Sequence, residues 1–301
     1  MSAMTQIPEH YTTQFDSNWR HLVQQKNSRL REYVTLDSIS GKEKSYNQLS
    51  EAAMQLITSR SGETRISDQA TAKRWIRPKA YDTAKLFDEF DEQLLGEVVL
   101  PTSPVVQSHA AAYARTADQV IIEALGGTAY TGETGVTATT LPNAQKVAVN
   151  YVETGNAANS GLTIGKLRAA KYILDSSEVD EEEERIIVVS AKQLQDLLRT
   201  TEITSADYNS VKALVDGSVN TFMGFKFRKT QLLPLASATD VRSTYVYVKS
   251  GIVLAERGLK THMDVRTDLS HSLQIRSVAS LGATRLEEKK VVEIACDESP
   301  S

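Results

Sequence analysis

The sequence holds a single cysteine, Cys296, in 301 residues, so no internal disulfide can brace the chain. A lone thiol this close to the C-terminus suits a reducing compartment and reads as a small apolar group destined for burial. No run approaches the roughly 18 to 20 apolar residues that cross a bilayer. The start, MSAMTQIPEH, lacks a basic stretch leading into an apolar one. The expectation is a soluble, cytoplasmic chain with no membrane partner. Chemical signatures are missing as well. Neither a G-x-S-x-G elbow nor an H-E-x-x-H helix occurs, and His10, His21, His109, His262 and His271 are scattered without metal-type spacing. No catalytic, cofactor-binding or metal-ligating residue is nominated, and no cofactor is expected, although carboxylate-based sites leave no spacing signature.

The nearest approach to a ligand motif is GTAYTGET at 127–134. It resembles a phosphate-binding loop, but Glu133 stands where lysine is required and would repel phosphate. The segment also follows a helical pattern, whereas a phosphate loop follows a strand and opens a helix. A structural turn is the better reading.

What the chain does have is enough apolar content, 41%, for a real core in one large or two modest domains. Its net charge of −4 lacks the basic footprint of a dedicated nucleic-acid binder.

Periodicity divides the chain. Phe15, Trp19, Leu22, Val23 and Leu30 form one helical stripe, with Thr13 and Asp16 as a capping start. An isolated helix of this length is marginal, so it reads as an arm packed on another surface. Residues 31–48 and 64–80 read as the limbs of a long hairpin. Between Asp37 and Ala72 the large apolar residues are few, chiefly Ile39, Leu49, Met54, Leu56, Ile57 and Ile66. Such a ribbon is marginal alone and should be held by neighbouring copies.

Residues 85–97 have the pattern of an acidic amphipathic helix. Pro101 and Pro104 precede a second helix, about 104–125, which ends at Gly126 and Gly127. A Gly- and Thr-rich stretch at 128–161 reads as loop and edge structure with a short strand at 146–152. Helices are expected near 162–175 and after Ser190, where Ser190 and Gln193 make a capping-box pair and Leu194, Leu197 and Leu198 face inward. Another short helix is expected at 205–215. Strands are expected at 186–190, 220–229, 241–249 and 286–295, and an alternating run at 263–281 sets Met263, Val265, Leu269, Leu273 and Ile275 against polar neighbours.

Five stretches in order resemble a tailed-bacteriophage major capsid protein family: FDSNWRHLVQQKNSRLREYV at 15–34, IIEALGGTAYTGETG at 121–135, LTIGKLRAAKYILD at 162–175, TTEITSADYNSVKALVDGSVNTFMGFKF at 200–227 and GATRLEEKKVVEI at 282–294. The resemblance covers about 14–296. It implies an α+β, HK97-like capsid fold: an N-terminal arm (1–31), an extended loop made of a long β-hairpin (32–84), a peripheral domain with a spine helix at about 104–125 (85–139 plus 251–301), and an axial domain (140–250). It also implies a structural protein, not an enzyme, that self-assembles as hexamers and pentamers into an icosahedral head around double-stranded DNA.

Implied partners are further copies of the chain, portal and scaffolding proteins, a decoration protein in some shells, and packaged DNA through non-specific contact. The chain would be part of the virion capsid, assembled in the bacterial host cytoplasm. An encapsulin-like compartment shell would share the fold but hold an enzyme cargo instead of a genome. A cytoplasmic α/β enzyme is the rival from another class, and would need a ligand pocket and a small assembly.

Charge runs supply candidate interface residues. Arg60, Arg65, Lys73, Arg74, Arg77 and Lys79 outnumber the acids within 60–79, while Asp88, Glu89, Asp91 and Glu92 cluster just beyond. Solvated surface is the bland reading. The sharper one lays the basic hairpin over the acidic ground of a neighbouring copy, so that charge steers register. Trp75, among those cations, is either a core residue or the aromatic anchor of that contact.

Overall fold

A computed structural model describes residues 23–56, 60, 66, 68–87, 104–153, 155–199, 221–236, 239–269 and 271–299. In chain order the strands and helices are β1 (Thr35–Ser38), β2 (Lys44–Leu49), β3 (Thr71–Ile76), β4 (Lys79–Phe87), α1 (Pro104–Gly126), β5 (Ala129–Thr131), β6 (Thr137–Thr139), β7 (Lys146–Val147), α2 (Ile164–Ser176), β8 (Arg185–Val189) and α3 (Ala191–Arg199). They continue with β9 (Thr221–Phe222), β10 (Phe225–Lys229), β11 (Leu235–Ala236), β12 (Val241–Val248), β13 (Ile252–Glu256), β14 (Lys260–Arg266), β15 (Ser272–Arg285) and β16 (Val291–Asp297).

Three sheets organise these strands. The largest runs β7-β16-β12-β8-β10-β9, with β11 beside β12. Its centre is β8, RIIVV, whose apolar run from Ile186 to Val189 is buried on both faces. Ile187 and Val189 face a core with Leu167, Ala170 and Leu174 of α2 and Leu194 and Leu197 of α3. Ile186 and Val188 face the opposite way, into a core with Ile121 and Leu125 of α1 and with Leu30 and Val34. Strict alternation along one five-residue strand therefore sets the boundary between the two main cores.

Helix α3 starts as its sequence dictates. The Gln193 side chain accepts from the Ser190 amide (2.7 Å) while Ser190 Oγ accepts from the Gln193 amide (3.4 Å), a complete capping box. Leu194 and Leu197 are buried, and the Leu198 side chain and residues 205–215 lie outside the described residues.

The second sheet runs β1-β13-β15-β14, with β4 on the other edge of β15. Helix α1 lies against this sheet, its His109 Nδ1 3.1 Å from Ser277 Oγ. The last turn of α1 is closed by Arg285, whose side chain is fully buried. Its Nη1 donates to the carbonyls of Ala124 (3.0 Å), Leu125 (2.8 Å) and Gly127 (2.5 Å), which a helix end leaves without intrahelical partners. Close packing fixes glycine there, because a Cβ on Gly126 would stand 2.1 Å from the Tyr245 hydroxyl.

Midway along α1, the buried Asp118 carboxylate takes four donors from the segment that leads out of the N-terminal arm. These are the amides of Arg29 (2.9 Å) and Leu30 (3.1 Å), Ser28 Oγ (2.5 Å) and Gln25 Nε2 (2.5 Å). The arm stripe itself, up to Leu22, lies outside the described residues, whereas Leu30 at its end is buried and Val23 is exposed.

Several expectations change. The 31–48 limb divides: β1 leaves the hairpin and pairs in parallel with β13 of the body, and only β2 pairs with β3. The 85–97 helix does not begin at Lys85, because Lys85 to Phe87 finish β4, where Phe87 is buried with Val105 and Ile275; residues 88–97 lie outside the described residues. The 146–152 strand shrinks to Lys146–Val147. The alternating run at 263–281 is two strands, β14 and β15, joined at residues 267–271, and Val265 and Leu269 are exposed. Strand β16 joins the largest sheet beside β12, with Val292, Ile294 and Cys296 in the α2–α3 core.

Replacing Asp118 by alanine leaves the buried Leu30 amide and the part-buried Arg29 amide without acceptors and removes charge-assisted bonds, with an expected loss of about 3 kcal/mol. Urea unfolding of the variant and parent, followed by circular dichroism, measures it. An unchanged midpoint would show that the clasp contributes nothing.

Candidate subunit interface

The hairpin β2–β3 is not free at its root. Strand β3 also pairs with β5, through Arg74 opposite Thr131 and Trp75 opposite Tyr130, and β5 pairs with β6, so the root sits in a four-stranded sheet of its own chain. Ile76, at the end of β3, is buried with Ile39, Val253 and Ala255.

Arg74 is buried there. Its Nε donates to the Leu286 carbonyl (2.9 Å) and to Gln48 Oε1 (3.3 Å), and its Nη2 pairs with the Glu288 carboxylate. Trp75 is half-buried and donates through Nε1 to the Gly132 carbonyl (2.7 Å). Its ring fills the space above Gly135 so closely that a Cβ there would stand 2.7 Å away, and Gly135 has φ +68°. Glycine is thus required twice over. The 127–134 motif is explained by the same contact: it closes α1 and forms the β5–β6 hairpin, whose turn receives the tryptophan.

Arg77 pairs with Glu43 (2.9 Å) and lies 5.2 Å from the centre of the Tyr130 ring. Arg60, Lys73 and Lys79 are exposed. Arg65, Asp88, Glu89, Asp91 and Glu92 lie outside the described residues. The structure therefore brings together Arg74, Trp75 and Arg77 and gives each a partner in the same chain. Sequence reasoning missed those partners, Glu43, Gln48 and Glu288, because nothing in local spacing links Arg74 to a carboxylate 214 residues away.

Beyond the root the character changes. Leu49, Met54, Leu56 and Ile66 are all exposed, Met54 completely. Lys73 lines an open groove of about 740 Å³ with Asn47, Leu49, Thr71, Gly132 and Glu133. Among the described residues these apolar side chains have no core of their own chain to enter.

Two acids buttress the base of the ribbon. Hydrogen bonds from Lys44 (2.5 Å) and the Tyr46 hydroxyl (2.6 Å) hold the Asp37 carboxyl below its ordinary value. Burial pushes Glu256 up, but bonds from Arg31 and the Tyr113 hydroxyl (2.7 Å) outweigh it, and the net displacement is downward.

Among the described residues no group of three or more His, Cys, Asp or Glu could hold a metal ion, and no helix is long and apolar enough to cross a membrane. His109 is buried against Ser277, His262 and His271 are exposed, and His10 and His21 lie outside the described residues.

A family model described as phage capsid protein matches residues 7–298. The chain belongs to the phage capsid protein family. Among solved structures, this capsid protein is similar to the capsid of the cyanophage P-SCSP1u, at 17% identity over 95% of this chain and 92% of the other, with a TM-score of 0.71. The cyanophage Pam1 capsid matches at 12% identity over 99% and 100%, TM-score 0.71, and the head of Helicobacter pylori bacteriophage KHP40 at 10% over 98% of each chain, TM-score 0.71. No match was found among curated protein sequences. The α+β capsid fold expected from the resemblance stands, and with the family comes the role: a structural protein of a phage capsid, not an enzyme.

Two outcomes follow for the hairpin root. Arg74→Ala leaves Glu288 without its buried partner and should cost about 3 kcal/mol, with faster protease cleavage within 50–70; unfolding curves and timed digestion check both. For pH, a carboxyl whose folded pKa is depressed stabilises the fold fully above its unfolded value, about 4, and loses that contribution as pH falls through the folded value. The melting temperature should hold between about pH 7 and 5 and fall below about pH 4. Glu256→Gln should flatten part of that fall in a melting series across pH.

Proposed function

We propose that copies of this capsid protein associate as hexamers and pentamers into a closed icosahedral shell around double-stranded DNA, assembled in the host cytoplasm with scaffolding and portal proteins. Residues 1–31 act as the arm, 32–84 as the extended loop, 85–139 with 251–301 as the peripheral domain, and 140–250 as the axial domain. The observation that carries this reading is the hairpin beyond its root: Leu49, Met54, Leu56 and Ile66 are exposed, while the root is pinned rigidly by Arg74 and Trp75. A fixed base and an uncovered apolar tip suit a limb that reaches across an adjacent copy.

Charge adds register. Exposed Arg60, Lys73 and Lys79, together with Arg65, lie over the acidic Asp88, Glu89, Asp91 and Glu92 of the next copy. Single contacts of this kind are weak, but repetition in a closed symmetric object leaves no free edge and makes the whole far more stable than any pair. DNA contact is non-specific, in keeping with the net charge of −4.

The test is to express the chain with its scaffolding protein and image the product by electron microscopy. Closed particles are expected from the parent, and none from a variant in which residues 52–68 are replaced by a short Gly-Ser linker, although its circular dichroism should match the parent. Shells formed as readily by the shortened chain would overturn the reading. Nucleic acid in particles recovered from infected cells separates a head from a compartment for enzyme cargo.

A further inference from the structure

Strand β14 is the outermost strand of its sheet. Its inner edge pairs with β15 from Lys260–Val278 to Arg266–Ser272, and among the described residues no strand pairs with its outer edge. Alternate residues of this seven-residue strand, which has no proline or bulge, thus point their backbone groups outward. Such a row is a template for pairing with another chain. Its side chains divide by face. Thr261, Met263 and Val265 lie on the α1 side, where Thr261 Oγ1 meets Ser277 Oγ (2.9 Å) and Met263 packs on Phe87, Val105 and Ile275. Lys260, His262 and Asp264 lie on the other face and are exposed. Val265 is 58% exposed although Met263 on that face is partly covered.

We propose that β14 pairs antiparallel with β14 of a second copy across a two-fold axis, joining β4, β15 and β14 of each copy into one six-stranded sheet. This inference rests on the shell reading above and adds to it a specific contact between subunits.

Among the registers that pair at least five residues of β14, charge decides. A two-fold axis through an antiparallel pair must place one residue opposite itself, because hydrogen-bonded and non-bonded pairs alternate and cannot exchange. With Met263 at the centre, Lys260 faces Arg266 twice. With Asp264 at the centre, two carboxylates face each other. With His262 at the centre, Lys260 faces Asp264 twice, Thr261 faces Met263 twice, and Leu259, just before the strand, faces Val265 twice. Opposed unlike charges then occupy one face and apolar pairs the other. Arg266 lies beyond the paired acids and is already satisfied by Asp268 (2.7 and 2.6 Å) and Gln274 (2.9 Å).

Strand β4, another outer strand of this sheet among the described residues, is a poorer match. No register of β14 along residues 79–87, in either direction, gives both Lys260 and Asp264 an opposite charge. A self-complementary strand is also what an isologous contact requires.

Two sets of variants in assembled particles test this, and native Cys296, being buried, stays silent. His262→Cys should yield covalent dimers on mild oxidation or with a short bis-thiol reagent. Lys260→Cys should not, since its two copies would stand about 13 Å apart along the strand. Lys260→Glu and Asp264→Lys should each lower particle yield about tenfold, and the double variant K260E/D264K should return it to within about twofold. Dimers from H262C together with rescue by the double variant support the proposal. H262C particles without dimers, or a double variant no better than the singles, overturn it while leaving the shell reading intact. Failure of the parent chain to form particles overturns the shell reading and this contact with it.

Discussion

One helix carries the tertiary structure, and buried polar contacts hold it in place. Along α1, Asp118 collects the donors of residues 25–30, His109 meets Ser277, and Arg285 donates to the carbonyls of the last turn. Burying an ion is costly unless its hydrogen-bonding capacity is met. These groups are therefore tolerated only in this arrangement, and any slip of the helix along the sheet would strand a charge. Apolar burial supplies most of the cohesion, and the polar contacts select one alignment from the many that an Ala-rich surface would accept.

A division of labour follows. Strand β8 and its neighbours commit their apolar residues inward on two faces, building two cores within the one chain. The hairpin tip commits its own outward. Between them lies the root, where Arg74, Trp75 and Ile76 each face a different part of the same chain. Rigidity at that point turns a marginal ribbon into a directed one, because what the body fixes is the angle at which the tip leaves.

Much of this was legible in the sequence wherever the signal was local. The apolar run of β8, the Ser190–Gln193 cap, and the glycine pair ending α1 declare themselves within a few residues. Long-range choices did not. Nothing near Thr35 announces a parallel partner at Val253, and Lys85–Phe87 carries a helical spacing that was overridden when Phe87 found a pocket beside Val105 and Ile275. The charged residues were read least well. Arg74 looked like part of a solvated or intersubunit basic run, yet it is buried, while Asp118 and Arg285 drew no notice because a single ion in an apolar pattern looks the same whether it is paired or adrift. The acidic candidates at 88–92 lie outside the described residues.

Both legs of the hairpin return to a single sheet. Strand β1 is stitched to β13 by four residue pairs and β4 to β15 by nine. Load applied to the tip would enter the body through two seams at once and be shared among all their rungs. A limb fastened this way behaves less like a hook on a thread than like a bracket with two feet, and strain passes to the sheet rather than unravelling the limb.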